Sequence, residues 1–387
     1  MVVPLKYNLR SLLVRRVSTA MTAGGIALVV AVFVIVMAMV TGLGAAIGDT
    51  GSPDNLIVLR RGATTETYSA MNLDQFDALK FLPQIRRDAA GNPMASPELP
   101  VQTLIERQSG GRENVVFRGV LPIALEVHDQ VRIVVGRMFQ PGLNEVVVGT
   151  GLVNRYKDCA LGATLHFGRG AWKVVGIFAA RGSAFESEVW GDLHAVQDEA
   201  RRGAYYACAR LKLNAGADIA ALTRRIADDP RINLQAQTER DYYQDEAVVA
   251  RQLRVLMMVV ATVMAVGAIF GAMNTMYAAV STRTAEIGTL RALGFGPGSV
   301  MASFLLESLV LALAGGVVGV ILAMPINGFS TTFGNYITFS TMAFSFRVTA
   351  AIVLEALAFA ALMGLLGGWL PARTAMRLSV VDALRRV

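Results

Sequence analysis

The sequence predicts a membrane protein of four transmembrane α-helices, with a large α+β extracytoplasmic (periplasmic) domain inserted between the first and second spans. Three observations carry this. Of 387 residues, 54% are apolar and only 17% charged, against about 25% charged in ordinary globular proteins. The apolar residues are clustered: residues 17–48 and 255–282 contain no charge, and each run exceeds the roughly 20 residues that cross a bilayer as helix. Between these runs the texture changes to short β-branched segments broken by Gly, Pro and Asn.

The first span follows a basic front (Lys6, Arg10, Arg15, Arg16) and ends near the small residues Gly44, Ala45 and Ala46, as a signal peptide would. A signal peptide's apolar core is only about 7 to 15 residues, however, and this run is about twice as long. It reads as a retained anchor, with cleavage the lesser alternative. The region beyond it contains NLIVL, VQTLIE, NVVFRGV, RIVVG, NEVVVG, WKVVGIF and YYACARLKL. Such runs are the strand signal. LDQFDALKFL and ADIAALTRRIADD keep helical spacing instead. From Glu239 a polar helix is expected to run into the second span without Gly or Pro before Gly267, forming a stiff stalk. A third span at about 299–323 carries one acid, Glu307, and a fourth at about 348–369 carries Glu355.

The expected division is residues 1–48, cytosolic N-terminus and first span; 49–240, extracytoplasmic domain; 241–282, stalk and second span; 283–298, cytosolic loop; 299–328, third span; 329–347, extracytoplasmic loop; 348–387, fourth span and cytosolic tail. The uncharged 329–346 segment, rich in Ser, Thr and Phe, reads as an interfacial loop. Charge sets the orientation. The net charge is +7, yet residues 49–254 carry as many acids as bases, and the excess sits in the N-terminus, the 283–298 loop and the tail beyond Pro371. Lys and Arg concentrate on the cytosolic side of membrane proteins, so both termini and the 283–298 loop are expected there. The basic excess therefore needs no nucleic-acid partner.

Few residues suggest catalysis. His128, His166 and His194 are scattered without metal-ligand spacing, and no GxSxG elbow occurs. No catalytic residue and no metal site are expected. Cys159 and Cys208, both in the outer region, permit a disulfide, with two separate buried thiols as the alternative. A phosphate-binding P-loop requires a Gly-Lys pair, and the chain has none.

The 283–298 loop is longer than a turn needs. With Thr282 as cap, a short helix would place Ile287, Leu290 and Leu293 on one stripe and leave Arg283, Glu286 and Arg291 towards water or a partner; spacing alone equally allows a membrane-surface helix that simply joins two spans. Gly294 and Gly296 would end it, and Pro297 suits the first turn of the next helix. Glu307 lies about three turns into the third span, near its cytosolic face, where either snorkelling or pairing with a cytosolic arginine gives this intramembrane acid a structural role, with a proton or substrate site the lesser alternative. Small residues four apart, Gly44/Gly48, Gly267/Gly271, Gly315/Gly319 and Gly364/Gly368, allow close helix approach in lipid, either within one subunit or across a dimer seam.

RTAEIGTLRALGFGPGSVMASFLLESLVLALAGGVVG resembles the signature of the MacB/FtsX-type permeases of ABC transporters (type VII exporters), and GWLPARTAMRLSVVDALR resembles their C-terminal ending. NLRSLLVRRVSTAMTAGGIAL is similar to their first span, and GRMFQPGLNEVVVGTGLVNRYKDCALG to part of their outer domain. The resemblance implies that the 283–298 loop is a coupling helix seated in an ATPase groove, with Arg283, Glu286, Ile287, Leu290, Arg291 and Gly294 making the contact. It implies two copies of an ABC ATPase subunit, here on a separate chain, which would bind ATP and Mg; this chain would bind no cofactor. A second permease subunit, identical or paralogous, is implied, as is the bacterial inner membrane, and a periplasmic adaptor or outer-membrane component is a further candidate partner.

The function expected is mechanotransmission, in which ATP hydrolysis moves the outer domain to export or extract a lipid, lipoprotein, peptide or hydrophobic drug. The alternative is FtsX-like signalling to a cell-wall hydrolase without transport. A membrane-anchored extracytoplasmic enzyme is a third reading, disfavoured by the lack of a nucleophile or metal cluster.

Overall fold

The computed structural model describes residues 16–48, 50–246, 248–335 and 340–378. The basic residues Lys6, Arg10, Arg15, Arg385 and Arg386 lie outside them, as does Ala247, on which continuity of the expected stalk depends. The chain divides into two units: residues 42–249 with 330–345, and residues 1–41, 250–329 and 346–387.

The second of these units holds the membrane helices except residues 42–48 and 248–249, which group with the first. Among the described residues, four helices are long and apolar enough to cross a membrane: Arg16–Gly48, Val248–Thr282, Pro297–Ala323 and Ala350–Arg377. Ile26, Val30 and Val34 of the first pack with Ala312 and Val320 of the third and Ala356, Ala360 and Met363 of the fourth. Glycine permits this closeness: a Cβ on Gly315 or Gly319 would sit 2.6 or 2.5 Å from the carbonyl oxygens of Ala23 and Ala27. A Cβ on Gly364 would lie 2.4 Å from that of Ala312, and one on Gly368 would lie 2.1 Å from the Ser308 hydroxyl, which itself donates to Gly364 O at 2.9 Å. Two of the four small-residue pairs thus serve packing within the chain. Around Gly44, Gly48, Gly267 and Gly271 the space is open, and the second span leaves Val255, Met258, Val259, Val263 and Phe270 exposed.

The other unit is the α+β lobe. Its strands are β1 (Asn55–Arg60), β2 (Met71–Asn72), β3 (Ala95–Glu106), β4 (Arg112–Val120), β5 (Arg132–Gly136), β6 (Glu145–Gly149), β7 (Thr164–Phe167), β8 (Gly170–Ala179), β9 (Glu188–Asp192), β10 (Tyr205–Tyr206), β11 (Cys208–Lys212), β12 (Leu234–Thr238), β13 (Ser330–Asn335) and β14 (Ser340–Ser345). Ten form one sheet in the order β12-β1-β11-β3-β4-β9-β6-β8-β5, with β7 also on β8. The pairs β4/β9 and β6/β8 are parallel and the others antiparallel. Helix Leu73–Lys80 starts at a capping box between Asn72 and Gln75, and helix Ile219–Asp228 at Asp218, whose carboxylate accepts from Ala221 N. Phe117, Val146, Val148, Trp172 and Val189 fill the core.

The expected strands all occur, with YYACARLKL split into β10 and β11. The segment read as an interfacial loop is instead the hairpin β13/β14 and belongs to the lobe. Phe344 is buried there, and Ala343 N donates to Ser187 Oγ at 2.7 Å. Alternate hairpin side chains have a protein surface to cover, which a loop at a lipid interface would lack.

Candidate functional site

The expected coupling segment forms helix Thr284–Ala292. Thr282 does not cap it, because its hydroxyl turns back to the carbonyls of Ala278 and Ala279. The far end is a Schellman turn: Gly294 takes φ +92°, its N–H reaches Arg291 O at 3.1 Å, and Phe295 N–H reaches Leu290 O at 3.1 Å. Gly296 then precedes Pro297 at the start of the third span.

The side chains divide into an inward and an outward set. Arg283 is buried; its Nη1 donates to Glu307 Oε2 at 2.9 Å, its Nε to Glu286 Oε2 at 3.1 Å, and its guanidinium lies 5.6 Å from the Phe304 ring centre. Arg291 Nη1 donates to Met376 O at 3.1 Å and Leu378 O at 3.0 Å, satisfying carbonyls that the end of the fourth span leaves open. Ile287, expected on the contact face, is only 2% exposed and packs with Met276, Val280, Val300, Phe304, Ala372 and Ala375 of its own chain. Leu290 is half-buried. The outward face carries Glu286, Thr289 and Leu293, the last 68% exposed, with Gly294 beside it. The division differs from the one expected from spacing: Arg283 and Arg291, expected towards water or a partner, turn inward to hold Glu307 and the end of the fourth span, Leu293 of the expected apolar stripe turns outward, and the second, third and fourth spans of the same chain take Ile287.

The lobe contains a second constellation that sequence reasoning missed. Arg118 donates to Glu188 through Nε and Nη2, both at 2.7 Å, and through Nη1 to Glu66 at 2.5 Å and Glu98 at 3.0 Å. Arg210 donates to Glu98, to Glu66 at 2.6 Å and to Glu239 at 2.8 Å. All six side chains are buried, and both guanidiniums lie near the Phe185 ring. His128 packs against both Phe185 and Trp190, with Nε2 2.7 Å from Glu98 Oε1. Burial pushes the Glu98 carboxyl up, but Arg210, His128 and Arg118 outweigh it and hold it well below the ordinary range. Glu66 is lowered in the same way, against its burial, by Arg118 and Arg210. Glu66, Glu98 and Cys208 are grouped closely enough to hold a metal ion, yet guanidinium donors already occupy both carboxylates.

Cys159 and Cys208 are free and buried, so the permitted disulfide is not formed. Cys208 sits on β11 beside Glu66 and Arg210, while Cys159 belongs to the core with Leu152 and Tyr156. Burial pushes the Cys159 thiol up to about 12, with Asp158 adding to the shift, and raises Cys208 strongly as well.

Two family models match. The MacB-like periplasmic core domain covers residues 19–229, more than half the chain, and the FtsX-like permease C-terminal domain covers residues 258–380. The chain belongs to the MacB/FtsX family of ABC transporter permeases. The macrolide export ATP-binding/permease protein MacB of Nitrosomonas europaea is 26% identical to this permease over 97% of the chain. The permease spans only 58% of that relative's length. MacB of Chromobacterium violaceum is 39% identical over 35% of the chain, and the probable syringafactin exporter SyfD of Pseudomonas syringae is 34% identical over 35%. Each match covers 20% of the relative. Among solved structures, the periplasmic region of MacB from Actinobacillus actinomycetemcomitans aligns with 51% of the permease and 94% of that chain, at 10% identity and TM-score 0.39. The extracellular domain of YknZ aligns with 48% of the permease at 11% identity and TM-score 0.37.

Proposed function

We propose that this permease sits in a bacterial inner membrane with both termini cytosolic and couples ATP hydrolysis by a separate ABC ATPase to movement of its lobe. Two ATPase copies would bind ATP and Mg and serve two permease subunits, identical or paralogous. The carrying observation is the build of helix Thr284–Ala292. It is fixed to its own spans by Arg283–Glu307, by Ile287 and by the Arg291 bonds to Met376 and Leu378. Glu286, Thr289 and Leu293 remain outward at i, i+3 and i+7, a single helix face. A helix anchored on one side, with exposed side chains on the other, suits a rigid fitting for a second protein. Export of a lipid, lipoprotein, peptide or hydrophobic drug is the activity proposed; the macrolide and syringafactin exporters among the relatives favour export over extraction or signalling. A periplasmic adaptor or outer-membrane component would complete such a path.

Co-purification of tagged permease with its ATPase tests the reading. Burying a leucine side chain contributes about 1.5–3 kcal/mol, and a carboxylate in its place adds a desolvation cost. Leu293→Asp should weaken ATPase binding at least tenfold while membrane abundance stays unchanged. Retention of the ATPase at the wild-type level by both Leu293→Asp and Thr289→Asp would sink the assignment.

A further inference from the structure

Both oxygens of the Glu239 carboxylate are engaged, and their partners come from separate parts of the lobe. Oε1 accepts from Arg210 Nε at 2.8 Å, in the middle of β11. Oε2 accepts from Ser52 N at 3.1 Å and Asn55 Nδ2 at 3.0 Å. Ser52 and Asn55 lie in the stretch of sequence that follows the first span, and Glu239 opens helix Glu239–Glu246, which precedes the second. The approach is close: a Cβ on Gly51 would lie 2.6 Å from the Glu239 backbone carbonyl. One helical turn on, Tyr243 OH accepts from Arg210 Nη2 at 2.9 Å, and Tyr242 OH accepts from Glu66 N at 3.2 Å. Arg210 is itself fixed by Glu66 and Glu98, so the helix is bonded to a group with little freedom of its own.

We propose that Glu239 is a positioning residue, the joint at which the chain leaving the first span, the helix leading to the second span and the sheet are made to move as one piece. Charge-assisted bonds from a buried guanidinium are about twice as strong as neutral ones, and a hinge here would dissipate any displacement delivered by the second span. The transmission role rests on the coupling reading above; the clamp itself does not.

Hydrogen exchange on the purified full-length permease tests the clamp without any partner. Glu239→Gln should accelerate exchange at least tenfold in residues 240–246 and 50–55, while β4 and β9 stay within twofold of wild type. Glu188→Gln is the control: it removes a carboxylate from the same buried cluster, but its bonds go to Arg118 and Trp190. It should loosen β4 and β9 and leave 240–246 within twofold. Tyr243→Phe, which removes no charge, should loosen 240–246 about threefold and serves if Glu239→Gln does not fold. Unchanged protection of 240–246 in the Glu239 and Tyr243 variants, or equal loosening by Glu188→Gln, overturns the clamp. With the ATPase bound, nucleotide should alter exchange in the wild-type lobe and not in Glu239→Gln, with co-purification intact. A Glu239→Gln lobe that still responds overturns the transmission role, whereas a wild-type lobe indifferent to nucleotide overturns the coupling reading and transmission together.

Discussion

Arg283 Nη1 lies 2.9 Å from Glu307 Oε2, and both side chains are buried. The pair joins the start of helix Thr284–Ala292 to the third span, and Glu286 supplies Arg283 with a second, exposed carboxylate. Its geometry leads directly to a test of what an acid inside a span is for.

Removing one member of a buried ion pair costs up to about 3–5 kcal/mol, the exposed Glu286 offsetting only part of it for Arg283, whereas replacing both with apolar groups is often close to neutral. Glu307→Leu should therefore lower thermal stability in detergent sharply, and Arg283→Met/Glu307→Leu should recover much of the loss. Additive losses in the double variant would show that the two side chains act separately.

Arg291→Ala leaves the carbonyls of Met376 and Leu378 without their guanidinium donor. A hydrogen bond to a charged group contributes about 1.5–3 kcal/mol when buried and less when half-exposed as here. Exchange in residues 374–378 should rise severalfold, with the third span unaffected. Full protection there would mean that the bonds contribute nothing.

The native cysteines should be silent. A thiolate is the reactive form, and the Cys159 thiol, pushed up to about 12 by burial and then Asp158, holds almost none at neutral pH. An impermeant maleimide should leave folded wild-type protein unlabelled, so a single added cysteine can report orientation. One at exposed Ser109 should label in intact cells and one at exposed Thr289 should not. Labelling at Thr289 without lysis would overturn the cytosolic assignment of that helix.

Acid should weaken the lobe in a defined window. Glu66 and Glu98 are raised by burial but lowered further by Arg210, Arg118 and, for Glu98, His128, so both end below their ordinary 4.5. Carboxylates depressed in the folded state contribute stability that is present above the unfolded value and lost as pH falls through the folded one. The lobe's melting temperature should be insensitive to these groups above about pH 5 and fall steadily below it. Each tenfold difference in proton affinity between the folded and unfolded chain is worth about 1.4 kcal/mol once the carboxylate is fully protonated. Glu98→Gln should start lower at neutral pH and show a shallower acid slope. An equal slope in that variant would remove Glu98 from the account.

The spans were legible because a bilayer demands long, almost uncharged runs, and the Gly294 stop because helices commonly end on a left-handed residue that glycine adopts without strain. Ile287 shows where legibility ended: spacing placed it on a stripe with Leu290 and Leu293, but spacing does not say whether a stripe meets its own chain or another protein. The ionic cluster was hidden for a related reason. In β11, alternation would send Arg210 towards water, yet helix Glu239–Glu246 covers that face and every residue of the strand is buried. The charged strand β9, EVWGD, was missed because its glutamate reads as a surface residue until Arg118 of the neighbouring strand β4 is found bonded to it. The hairpin β13/β14 was missed because nothing local announces that a segment 80 or more residues downstream completes an earlier domain.

That hairpin bears on how the lobe can be produced by itself. An expression fragment cut as one stretch, residues 50–246, would omit β13 and β14 and uncover the surface around Ser187 and Gly151, where Ala343 now lies. A cut that strips the Ser187 hydroxyl of its backbone partner and bares ground buried in the whole lobe invites self-association, so a gene that splices residues 329–346 to the fragment through a flexible linker should yield a better-behaved soluble protein than the shorter cut.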